Sequence, residues 1–181
     1  MVDIVVENVV VSAQVADEID LEKASQQLPE AEYNPTLFPG LTLRSSSPRA
    51  AVLLFSSGKA VCTGAKNIDD AKNAVKKVCS MLDSKGFTVH KNPKITVQNI
   101  VVSANLKKKM DLESVAVSLK TKVEYQPEQF PGLIYRTNSD IVLLVFSSGK
   151  VVGVGGKSKK EMRETLKSFI AELTSAEVIE K

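Results

Sequence analysis

Side chains suited to covalent or metal chemistry are few in this sequence. It holds one histidine, His90, and two cysteines, Cys62 and Cys79, which form no CxxC pair. That set makes neither a zinc site nor a disulfide framework, and reduced thiols fit a cytosol. The run Gly153-Val154-Gly155-Gly156-Lys157-Ser158 has the look of a phosphate loop. A Walker motif, however, requires glycine at 151, where Val151 stands, and a dinucleotide fingerprint requires one where Ser158 stands. No nucleophile motif accompanies His90, so hydrolysis has no machinery. The expectation is a protein that is not an enzyme, with no cofactor, no metal and no small-molecule substrate.

The 181 residues are 43% hydrophobic and 25% charged, enough to bury a core and too apolar for a disordered tail. No run of about 18 apolar residues occurs, and the start, MVDIVVENVV, carries acids where a signal peptide needs a basic leader. A soluble, unexported protein without membrane contact is expected. The net charge of +3 is unevenly spread, with 10 basic against 11 acidic residues in 1–91 and 14 against 10 in 92–181.

What recurs is a noncovalent set of groups, because the chain is one sequence written twice. Asn8-Val9-Val10-Val11-Ser12-Ala13 returns 91 residues later as Asn99-Ile100-Val101-Val102-Ser103-Ala104. Phe38-Pro39-Gly40-Leu41 with Arg44 returns as Phe130-Pro131-Gly132-Leu133 with Arg136, and Phe55-Ser56-Ser57-Gly58-Lys59 as Phe146-Ser147-Ser148-Gly149-Lys150. A repeat of this length implies two similar lobes, 1–91 and 92–181, rather than a solenoid.

The elements that must position these residues follow from periodicity. Each copy opens on a β-rich run, Ile4 to Ser12 or Ile95 to Ala104, and continues into a short helix capped by Asp20 or Asp111. A strand near Ala31 to Asn34, a Pro-Gly turn and strands from Leu41 and from Ala50 to Phe55 come next. The Ser-Ser-Gly-Lys turn leads to a last strand, Lys59 to Thr63. A longer amphipathic helix closes the copy, its stripe running through Ile68, Ala71, Ala74, Val75, Val78, Cys79 and Leu82, and in the second copy through Lys159, Met162, Thr165, Leu166, Phe169, Ile170 and Leu173. Cys79 is read as a plain core thiol. Two helices cover one face of a five-stranded lobe, and strand parity gives apolar residues on both faces, so both faces are expected to be covered by something.

The doubled QNIVVSA-like, EYxPxxFPGLxxR and VLLxFSSGKxVxxG blocks resemble the conserved core of the TATA-box-binding protein family, in its archaeal form, over essentially the full chain. The resemblance implies an α+β fold: two tandem pseudo-symmetric lobes forming one saddle-shaped antiparallel sheet, with helices on the convex face. It implies that the phenylalanine pairs Phe38 with Phe55 and Phe130 with Phe146 wedge base steps of a minor groove, where a flat apolar ring enters a site free of charge and water. It assigns minor-groove contacts to Asn8, Val10, Leu53, Val61 and Thr63, and to Asn99, Val101, Leu144, Val152 and Val154. The last of these departs from the family's threonine. Arg44, Ser57, Lys59, Lys66, Arg136, Lys150 and Lys157 match phosphate-contacting positions, which hold a duplex without reading it. Glu128 matches a glutamate that contacts transcription factor B, with Gln126 and Gln129 as departures beside it. The implied partners are double-stranded A/T-rich promoter DNA, transcription factor B and, indirectly, RNA polymerase, in a nucleoid-associated cytoplasmic setting. Lys107-Lys108-Lys109 and Lys159-Lys160 are read as solvated faces. A saddle-fold module for a small ligand or another protein is the competing reading, and the four phenylalanines and paired asparagines discriminate against it.

Overall fold

The computed structural model describes residues 3–179. Ten strands and four helices alternate as two copies of one plan. The first copy is β1 (Ile4–Gln14), α1 (Leu21–Gln27), β2 (Ala31–Glu32), β3 (Leu41–Ser46), β4 (Arg49–Leu54), β5 (Lys59–Ala65) and α2 (Ile68–Ser84). The second is β6 (Thr96–Asn105), α3 (Leu112–Leu119), β7 (Val123–Glu124), β8 (Leu133–Arg136), β9 (Val142–Val145), β10 (Lys150–Gly156) and α4 (Lys159–Ser175). The fold is α+β, with every ladder within the two copies antiparallel. Among the described residues the chain divides into a first compact unit, residues 8–98, and a second, residues 99–179 together with 3–7.

In the first unit β2, β3, β4, β5 and the 8–14 part of β1 pair in that order, and in the second β7, β8, β9, β10 and the 99–105 part of β6 do the same. The helix starts are set by side chains that accept the otherwise unpaired first-turn N–H groups. Asp20 accepts from Lys23 N, Asn67 from Asp70 N and Ser158 from Glu161 N. Asp111 accepts from the Ser114 hydroxyl as well as from backbone N–H groups, and these bonds hold its carboxyl below the usual range.

The long helices bury one face of each array. Val9, Val11, Leu41, Val52, Leu54 and Cys62 are sealed in the first unit with Val75 and Leu82 of α2. In the second unit Ile100, Leu133, Leu143 and Val145 are sealed with Met162, Phe169 and Leu173 of α4. Each such side chain contributes about 1.5–3 kcal/mol on leaving water. Volume is exchanged between strand and helix: where the first unit has Cys62 and Ala71, the second has Gly153 and Met162. A β-carbon at Gly153 would lie 2.6 Å from Met162 Cε, so the glycine makes room for the longer side chain. Cys79 is buried, as a core thiol should be, and burial raises its pKa.

Three expectations change. The strand near Ala31 shrinks to two residues. Lys159 lies exposed at the start of α4 and not in the stripe, which consists of Met162, Leu166, Phe169 and Leu173. The second apolar face of each array is not covered by the helices of its unit: its apolar residues are half-exposed, and only Ser12, whose hydroxyl accepts from Gln98 Nε2, is buried.

Candidate nucleic-acid interface

The face turned away from the helices is ordered in rows by strand register. In the first unit Thr42, Leu53, Val61 and Ser12 lie side by side across β3, β4, β5 and β1, and Arg44, Ala51 and Thr63 form the next row. In the second unit the rows are Ile134, Leu144, Val152 and Ser103, then Arg136, Val142 and Val154. Inside these rows no side chain carries charge except the arginine at the outer edge. Thr42 and Ile134 were not singled out in the sequence, although their alternation with buried Leu41 and Leu43, and with Leu133 and Tyr135, marks them as members of this face.

Each array carries a pair of rings at one end. Phe38 and Phe55 meet edge to face with centroids 5.9 Å apart and planes at 67°, and Phe130 and Phe146 repeat both values. Such a pair is a favourable arrangement of ring quadrupoles, yet Phe38 remains 39% exposed. Its seat depends on a glycine. A β-carbon on Gly40 would stand 2.6 Å from Phe38 Cε1 and 3.1 Å from Phe55 Cε1, and one on Gly132 would stand 2.7 Å from Phe130 Cε1 and 3.1 Å from Phe146 Cε1. These two glycines position the rings, a role that the Pro-Gly spacing alone did not reveal.

The asparagines sit at β-bulges. The β1–β5 register gains one residue on β5 opposite Val9 to Val11, and the β6–β10 register gains one on β10 between Gly153 and Gly156. The extra residue falls at Gly64 (φ +88°) and Gly155 (φ +97°), where the left-handed conformation favours glycine. Gly64 N donates to Asn8 Oδ1 at 2.7 Å and Gly155 N to Asn99 Oδ1 at 2.8 Å. Each carbonyl oxygen is thereby tied to the bulge, which leaves Nδ2 as the end of the amide for other partners. The units then differ. Asn8 Nδ2 donates to Thr63 Oγ1 at 3.1 Å, whereas Val154 offers Asn99 no hydroxyl.

The cations are not equivalent either. Arg44 Nε lies 3.6 Å from Glu32 Oε1, and Arg136 Nη2 3.1 Å from Glu124 Oε2. Lys59 and Lys150 close the turns beside the rings, with Phe55 N donating to Lys59 O and Phe146 N to Lys150 O, both at 2.9 Å. Ser57 is exposed in the first of these turns, and Lys66 and Lys157 are exposed just past β5 and β10. Glu128 is exposed in the turn that Gln126 O closes by accepting from Gln129 N and Phe130 N. Val10 and Val101 are half-exposed beside the asparagines. Among the described residues no group of three or more metal-binding side chains occurs, and no helix is long and apolar enough to cross a membrane.

A family model described as transcription factor TFIID (or TATA-binding protein, TBP) matches the chain twice, at residues 3–85 and 94–176. The chain belongs to the TATA-box-binding protein family. It is 47% identical over 170 residues to the TATA-box-binding protein of Archaeoglobus fulgidus, covering 93% of each chain, and 50% identical over 162 residues to that of Methanothrix thermoacetophila, covering 88% of each. The solved structure of Methanococcus jannaschii TBP superposes with a TM-score of 0.87 at 43% identity, covering 96% of this chain and 99% of that one. The family is one of transcription factors, not enzymes. Both ring pairs, both bulge asparagines, the two ring-seating glycines and the two bulge glycines fall inside the segments that the family model matches.

Proposed function

We propose that this chain, as a general transcription factor, binds A/T-rich promoter duplex through the minor groove, bends it, and presents the complex to transcription factor B and through it to RNA polymerase. Residues 1–91 and 92–181 act as its two repeats, and the setting is the nucleoid. The observation that carries this reading is the same in each unit: an edge-to-face phenylalanine pair at the end of a half-exposed strand face whose rows hold no charged side chain inside the arginine at their outer edge. A wedge into a base step costs a few kcal/mol of unstacking, offset by the surface that the bent duplex brings into contact. Asn8 and Asn99 offer amide N–H groups to the groove. Minor-groove A·T and T·A pairs both display only N3 and O2 acceptors, while the exocyclic amine of guanine obstructs a close donor. Val10, Leu53, Val61 and Thr63, with Val101, Leu144, Val152 and Val154, form the floor. Arg44, Ser57, Lys59, Lys66, Arg136, Lys150 and Lys157 hold the phosphates. Glu128 would repel phosphate if turned to the duplex, and it supplies a rim carboxylate for a basic surface of transcription factor B.

Fluorescence energy transfer across an end-labelled A/T-rich duplex tests the reading. The unsubstituted protein should shorten the end-to-end distance, and replacing both ring pairs by alanine should abolish the bend while leaving a folded chain. The same complexes titrated with purified transcription factor B should bind it more weakly when they carry Glu128→Arg. An unchanged bend without the four rings, or equal factor affinity for Glu128→Arg, removes the corresponding role.

A further inference from the structure

Two equivalent loops carry opposite charge. Residues 14–19 read Gln-Val-Ala-Asp-Glu-Ile and their counterparts 105–110 read Asn-Leu-Lys-Lys-Lys-Met. Both are fastened in the same way to the turn beside the second ring of their unit. Val15 N donates to Gly58 O and Ile19 N to Ser56 O, each at 2.8 Å, while Leu106 N donates to Gly149 O and Met110 N to Ser147 O, each at 2.9 Å. The anchoring bonds are shared, so the change from Ala16, Asp17 and Glu18 to Lys107, Lys108 and Lys109 is a change of charge on loops fastened at the same points.

The loops also differ in shape. In the first unit Gln14 Nε2 spans to Ala16 O and Ser57 O, and His90 contacts Gln14 O and Asp17 Oδ1 at 3.1 Å each, so the loop's polar groups bond within the unit. In the second unit the shorter Asn105 turns back to accept from Lys107 N at 2.7 Å, with Lys107 held at φ +56°. A groove of about 530 Å³ remains, lined by Ser103, Asn105, Lys107 and Lys150, with Asp3 as its one carboxylate. Two ammonium groups, a hydroxyl and an amide suit a phosphate diester, while Asp17 and Glu18 repel one at the equivalent place.

We infer that Lys107 and Lys109, with Lys150, form a phosphate-binding flank that takes duplex lying outside the A/T-rich element, and that only the second unit has it. The inference rests on the function proposed above. A nucleic-acid occupant is favoured over an acidic protein because Lys150 belongs to the turn that seats Phe146. A backbone leaving the ring pair meets this loop next. The consequence is polarity, since a nearly symmetric protein gains counterion release on one flank alone.

The test compares binding to the A/T-rich element alone with binding to the element extended by about one helical turn on each side, for the full chain and for Lys107→Asn/Lys109→Gln. Each phosphate neutralised steepens log affinity against log salt by about 0.9. The extended duplex should therefore show a slope steeper by about 2 units, and its advantage should fall about 12-fold between about 50 and about 200 mM salt. The double variant should lose that advantage, judged as the ratio of the two affinities, and Glu18→Lys should increase it by about one unit of slope. Melting curves should match, because all three side chains are exposed. A ratio unaffected by the double variant overturns the inference and leaves the surface to an acidic protein. An equal loss on both duplexes also overturns it. If the unsubstituted protein fails to bind even the short element, the proposed function falls first and this flank with it.

Discussion

At the level of single residues, Asn99 performs two tasks that one substitution can separate. Its carbonyl oxygen accepts from Gly155 N at the bulge, and its amide nitrogen, the end turned away from that bond, is the proposed donor to the duplex. Asn99→Ala leaves a partly buried N–H without a partner, a loss of about 1–3 kcal/mol. Asn99→Asp retains the acceptor and removes both donors, while adding a negative charge beside the floor. It should fold with little change in unfolding midpoint yet lose at least about tenfold in affinity for an A/T-rich duplex, the size of one net hydrogen bond with a charge opposing it. Calorimetry beside a binding titration checks this, and a variant that binds as well as the parent would confine Asn99 to the bulge. The sequence pointed to Asn8 and Asn99 by their duplication. It could not show that their carbonyls are used internally, because the bulge that demands this arises from register.

At the level of elements, the bulges are equivalent in conformation but not in surroundings. Both Gly64 and Gly155 have positive φ, so alanine at either is strained by about 1 kcal/mol. A β-carbon on Gly64 would have no neighbour nearer than 3.8 Å, whereas one on Gly155 would stand 2.2 Å from the backbone oxygen of Asp140. Gly155→Ala should therefore cost well over the roughly 1 kcal/mol of Gly64→Ala, since β10 must move away from the loop before β9. Denaturant midpoints of the two variants measure the difference, and equal losses would show that the loop yields freely. Strand and helix order was legible because apolar alternation and helical stripes persist through both copies, and the aspartate caps announced α1 and α3. Which apolar face lies under the helices was not legible. Val9, Val11 and Cys62 are as apolar as Val10, Leu53 and Val61, and only packing of α2 and α4 distinguishes the buried set from the half-exposed one.

At the level of the whole molecule, charge rather than shape departs most from the repeat. The residue count makes the net charge of the second copy about five units more positive than that of the first, +4 against −1, and much of that excess sits in the 107–109 loop. One charge feature is instead repeated faithfully and was not foreseen: each edge arginine has a glutamate partner on the adjoining edge strand, Arg44 with Glu32 and Arg136 with Glu124. Sequence could not pair them, because β2 with β3 and β7 with β8 come together through register. An exposed pair of this kind contributes at most about 1 kcal/mol to stability, so its value to the fold is small. Its effect on duplex binding is larger. If Arg44, Lys59, Lys66, Arg136, Lys150 and Lys157 each neutralised a phosphate of the short element, the salt slope would be about −5.4, and with both arginines retained by their glutamates it falls to about −3.6. The 3.1 Å Arg136–Glu124 contact and the longer 3.6 Å Arg44–Glu32 contact compete with the duplex for both arginines, so the slope of the unsubstituted chain should lie between these two values. Glu32→Gln/Glu124→Gln should then steepen the slope by up to about two units and tighten binding at low salt, with an unfolding free energy within about 1 kcal/mol of the parent. A slope identical in both proteins would mean that the duplex already draws the arginines away from their carboxylates, and that the glutamates act on affinity only by repulsion.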